Sequence, residues 1–137
     1  MTSHSMTLNI FGRRWYFEQA DDWSHGRRRA IRWICIRHIM PALGKGTLSQ
    51  LTTSHVDRWL KQLIAEESTI TVLIAASTLR TLLEAATAQG YVSPSQWTQL
   101  RSRLSRDSVA TRCQHHHAKT EADGRRTTHT VKFGTAT

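Results

Sequence analysis

The chain has 137 residues, 39% of them apolar, which is enough for one compact domain with its own core and too few for two domains of ordinary size. Most large enzymes are excluded on that ground alone. Lys and Arg number 19 against 10 Asp and Glu, and the resulting +9 with a pI of about 10.8 calls for an anionic partner, nucleic acid first.

In chain order, Met1-Thr2-Ser3-His4-Ser5-Met6 lacks the basic and apolar regions of a signal peptide, and residues 1–7 read as a flexible start. A short aromatic-rich helix is predicted around Ile10–Ala20. The segment from about Ser24 to Met40 follows as a second helix, stopped by Pro41 and Gly44. On its wheel Ile31, Ile34, Cys35 and His38 form one face, while Trp33, Ile36 and Met40 fall nearly opposite, beside Arg29 and Arg37. Either the first helix covers Trp33, or that face is an aromatic and basic surface for DNA.

Thr52 precedes Val56, Trp59, Leu60, Leu63 and Ile64, an amphipathic helix over about 53–66 with a Leu51–Val56 staple. Ser68 or Thr69 opens a longer helix whose Val72, Ala75, Ala76, Leu79, Leu82, Leu83 and Ala86 share a face, and Gly90 ends it in a left-handed position. Ser93-Pro94-Ser95-Gln96 is a capping box for a fifth helix, about 94–106, with Trp97, Leu100 and Leu104 inward. From 107 to 137 the chain is rich in Thr, His and Arg, too poor in apolar residues to offset the entropy of ordering, and reads as a disordered tail. The folded domain is thus expected at 8–106. No strand signal appears, so the fold class is all-α.

Charge is uneven along these elements. Residues 1–45 carry +5, residues 46–100 carry −1 and residues 101–137 carry +5. No stretch approaches the roughly 18 uninterrupted apolar residues of a membrane span, and the two cysteines suggest no disulfide framework. A cytoplasmic protein is expected. Cys113, His115, His116, His117 and His129 offer donors for zinc, but their spacing follows no structural-zinc pattern, so neither metal nor cofactor is expected.

The pieces resemble, in order, the N-terminal core-binding domain of phage integrases, the SAM-like four-helix domain of the tyrosine recombinases. The segments that carry the resemblance are His38-Ile39-Met40-Pro41-Ala42-Leu43-Gly44, Leu51-Thr52-Thr53-Ser54-His55-Val56, Ser68-Thr69-Ile70-Thr71 and the run from Leu79 to Ala86 that closes at Gly90. It covers roughly residues 8–97. The resemblance implies double-stranded DNA as partner, approached by the helices at about 24–40 and 69–89. Arg27, Arg28, Arg29, Arg32 and Arg37, with Arg101, Arg103 and Arg106, are the candidate phosphate contacts. Where the family commonly has a polar or basic pair, this chain has Leu73 and Ile74, which lie with Ile70 off the main apolar face. These three mark a candidate protein interface, for a recombinase or a second copy of the chain.

The family's strand transfer needs a tyrosine nucleophile with Arg, Lys and His around the reacting phosphate. His55-Val56-Asp57-Arg58 and His25–Arg28 match H-x-x-R, and Tyr91 follows the first. His55 nevertheless belongs to a helix start, and the length leaves no room for the family's catalytic domain. No enzymatic activity, small-molecule substrate or membrane partner is expected. The open alternatives are an inert interaction module and a truncated integrase fragment.

Overall fold

A computed structural model describes residues 6–135, with side-chain environments through Ala122. The first helix, α1 (Leu8–Gln19), starts where the Thr7 hydroxyl accepts the Ile10 N–H at 3.2 Å. Its Leu8, Phe11 and Trp15 turn inward at the helical period and are 1–4% exposed. Met6 packs on the core, so the flexible start expected over 1–7 does not include Met6 and Thr7; Met1–Ser5 lie outside the described residues. A 3-10 turn (Ala20–Asp22) leads to α2 (His25–Ile34), capped by Ser24 through the Arg27 N–H.

Pro41 does not stop this helix. The path widens into a π turn over Cys35–Ile39, in which the Met40 N–H reaches back to the Cys35 carbonyl, and continues as α3 (Met40–Leu43). Proline carries no N–H for the regular ladder, and a wider turn accommodates that loss at the π-to-α junction. The stop is Gly44, where a Cβ would lie 2.5 Å from the Met40 carbonyl oxygen. The loop after it clamps the start of α1: Gly44 and Gly46 carbonyls accept the Asn9 and Leu8 N–H groups, and the Met6 carbonyl accepts from Leu48.

Three further helices end and begin at the chemistry read from the sequence. Helix α4 (Thr53–Glu66) is capped by Thr52, α5 (Thr69–Ala88) by Ser68, and α6 (Pro94–Leu104) by the Ser93–Gln96 box. Gly90 takes φ +88°, and the Tyr91 N–H reaches the Ala86 carbonyl across it, a Schellman closure of α5. Gln96 also donates to the carbonyls of Leu48 and Leu51, both at 2.8 Å, which fixes α6 against the 3-10 turn Leu48–Gln50.

The hub is α5. Its Val72, Ala75, Ala76, Leu79, Leu82, Leu83 and Ala86 are at most 2% exposed, and α1, α2, the π turn, α4, α6 and α7 all pack on it. By length and composition α5 would span a membrane, but its inward apolar face forms the centre of the bundle. Trp59 of α4 is 4% exposed and donates its indole N–H to the His38 carbonyl at 2.8 Å, which joins α4 to the π turn.

The last element departs from expectation. Helix α7 (Arg106–Thr135) begins with Ser105, whose hydroxyl accepts the Ser108 N–H, and its Val109 and Cys113 are 0% and 2% exposed. Two apolar residues four apart place one edge of α7 on α4, α5 and α6. The folded body therefore extends beyond residue 106 rather than giving way there to a disordered tail. The fold is all-α, and among the described residues no strand occurs, only one antiparallel bridge between Thr7 and Thr47.

Candidate nucleic-acid interface

Helix α2 opens with no acidic residue in its first turn, so the positive end of its dipole and the charges of Arg27, Arg28 and Arg29 reinforce one another. The three side chains separate. Arg28 turns inward, its Nε donating to the Ala20 carbonyl at 3.1 Å and its Nη2 to that of Trp23 at 3.5 Å, and so holds the turn before α2. Arg27 stays exposed, its guanidinium 5.7 Å from the Trp23 ring centroid. Arg29 faces the other side of the helix.

Arg27 meets α5 and α7 across a groove of about 320 Å³. Ala30 and Ile31 form one wall; Leu73, Ile74, Ser77 and Thr78 form the other; Arg106 closes the end. Arg27 and Arg106 are both exposed. Leu73 is partly buried against the core, whereas Ile74 is 42% and Ile70 70% exposed. The three residues singled out as an apolar surface thus divide: Leu73 and Ile74 line the groove between two arginines, and Ile70 stands free of it.

Ala30 also lines a second groove, of about 810 Å³, with Arg29, Arg32, Trp33, Ile36 and Arg37. Helix α1 does not cover Trp33, which is 47% exposed beside Ile36 at 59%. The wider π turn leaves these side chains outside while Cys35 and Ile39 go in. Burial pushes the Cys35 thiol up to about 11, so it stays protonated at neutral pH and packs as a small apolar group.

The arginines of α6 and α7 do not form one cluster. Arg101 is exposed, Arg103 pairs with Asp57 at 3.5 Å, and Arg112 pairs with the same carboxylate at 3.1 Å while donating to the Asp57 carbonyl. Asp57 therefore joins α4, α6 and α7, a role no local pattern announces. Arg80 likewise serves structure, donating to the Leu104 carbonyl at the end of α6.

Of the H-x-x-R strings, His25–Arg28 meets Tyr16 only through the Arg28 backbone carbonyl, which accepts the tyrosine hydroxyl at 3.5 Å, and His55–Arg58 serves a helix start. The His55 Nδ1 accepts the Thr52 N–H at 3.1 Å and completes a capping box, and Arg58 is exposed. The Tyr91 hydroxyl accepts from Arg14 at 3.3 Å, with its ring edge-on to Phe11. Cys113 faces the core, His117 one turn on meets the Thr69 hydroxyl at 3.2 Å from the same side of α7, and His115 is exposed on the other side; among the described residues no three metal-ligating side chains gather, and the His129 side chain lies outside them.

No curated protein and no solved structure matches the chain. A family model described as the phage integrase central domain matches residues 10–103, from α1 through α6. More than half of the sequence lies within that match, and the chain belongs to the phage integrase family through this domain.

Proposed function

We propose that the chain is a duplex DNA-binding module of the core-binding type, acting in the cytoplasm without strand-transfer chemistry of its own. The observation that carries this reading is the groove between α2, α5 and α7, with Arg27 and Arg106 on its rim and Ile31, Leu73 and Ile74 inside. The two cations are placed to neutralise phosphates, and the apolar floor suits a thymine methyl rather than a polar base edge. Arg28 and Arg103, turned to carbonyls and to Asp57, contribute less to binding.

Titrating a duplex at two salt concentrations tests this. The expected result is binding at low ionic strength that weakens steeply with added salt, and its absence at low salt would overturn the proposal. A second reading, association with a recombinase or another copy, is favoured by Ile70 at 70% exposure. Light scattering on the wild type and on Ile70→Glu separates the two. A species larger than a monomer that dissociates in the variant supports association; monomers in both, with no recombinase bound, count against it.

A further inference from the structure

Four of the large apolar side chains that stand exposed lie on α1 and on the outer side of α2 and the π turn, away from the groove assigned to DNA. Ile10 and Phe17 are 57% and 69% exposed, Trp33 and Ile36 47% and 59%. Ile10, Arg13 and Phe17 follow one another along a single stripe of α1 at helical spacing. Arg13, Phe17, Arg32 and Ile36 line one open groove of about 510 Å³, with Cys35 and Met40 in its floor. Gly12 lets the Met40 side chain close against α1, since a Cβ there would run into the Met40 methyl. The neighbouring groove of Arg29, Trp33 and Arg37 shares Arg32 and Ile36 with it, and neither is lined by any Asp or Glu.

We infer that this α1–α2 groove docks an acidic amphipathic helix from a protein partner. Burial of Phe17 and Ile36 would supply the apolar driving force, set against the costs of association. A duplex offers phosphates to the arginines, but the apolar surface of a thymine methyl is too small to cover a phenyl ring and an isoleucine together. A symmetric pair of copies would set Arg13 and Arg32 against their own equivalents or near them, a like-charge contact. A helix with two or three large apolar residues flanked by Asp and Glu satisfies both the floor and the rim. From Asn9 to Phe17 the groove runs about 12 Å at 1.5 Å per residue, room for about two turns. Met40 in the floor, flexible and polarisable, can adapt to the inserted side chain.

This inference stands apart from the DNA reading, and its test separates them. A displayed library of helical peptides is selected on the full chain, and the enriched peptides are synthesised and titrated by fluorescence anisotropy. The expected winners carry apolar residues at i and i+3 or i+4 with an excess of Asp and Glu. Their affinity falls at least about tenfold for Phe17→Glu with Ile36→Glu, and similarly for Arg13→Glu with Arg32→Glu, while the first pair of changes leaves duplex binding as it was. All four side chains are exposed, so both variants should keep the native helical circular dichroism. Four outcomes overturn the inference: no enrichment, enrichment of neutral or basic peptides, winners indifferent to both variants, and equal loss of duplex binding in Phe17→Glu with Ile36→Glu. A wild-type dimer that this variant dissolves also overturns it, in favour of a second copy.

Discussion

Replacing Arg27 and Arg106 together by glutamate is expected to weaken duplex binding by at least about a hundredfold at low salt, since each lost charge-assisted contact is worth about 1.5–3 kcal/mol. The slope of log affinity against log salt should fall by about 1.8, two phosphates at roughly 0.9 each. Both side chains are exposed on the rim of one groove and neither is held by a carboxylate, so the exchange should leave the melting temperature nearly unchanged. Arg28→Ala should behave in the opposite way. Its guanidinium serves the carbonyls of Ala20 and Trp23, so the variant loses stability and keeps the salt slope. Anisotropy titrations at two salt concentrations, with thermal melts alongside, read both effects. An unchanged slope in the Arg27 and Arg106 variant would remove this groove as the site of contact.

Trp59→Ala should cost about 3–5 kcal/mol, the usual range for emptying a buried tryptophan site. A domain of this kind has a total stability of about 5–15 kcal/mol, so the variant should sit near its unfolding threshold. Trp59 is 4% exposed on α4 and its indole N–H reaches the His38 carbonyl, so the change opens a cavity and releases the π turn. Trp59→Phe keeps most of the ring and should lose only about 1 kcal/mol with the hydrogen bond. Denaturant midpoints of the two variants, compared with the wild type, check the difference.

What the sequence made legible was local chemistry. Thr52, Ser68 and Ser93 cap helices because a hydroxyl can take an N–H three residues on, and Gly90 closes α5 because it adopts a positive φ without a Cβ penalty. The regular spacing of apolar residues gave α4 its limits and α5 its buried face. The π turn was hidden, because nothing in Cys35-Ile36-Arg37-His38-Ile39 distinguishes a wider turn from a regular one, and Pro41 reads locally as a stop. Helix α7 was hidden for a related reason: Val109 and Cys113 are two apolar residues in a polar stretch, and only the surface they meet makes them core. The arginines divide in the same way. Charge counting finds Arg27, Arg28, Arg103 and Arg106 alike, yet Ala20, Trp23 and Asp57, distant in sequence or on other elements, decide which stay free.

The contact of α7 with the bundle also bears on where the chain can be shortened. The family match ends at residue 103, which invites a boundary there for expression of the domain alone. Such a piece would lose Val109, Cys113 and the Arg112 clasp on Asp57, and would leave the surfaces of α4, α5 and α6 they now cover open to water. An uncovered apolar strip of that kind promotes aggregation. A boundary placed after Cys113 keeps the strip covered, so the smallest soluble unit is longer than the family's own limits imply.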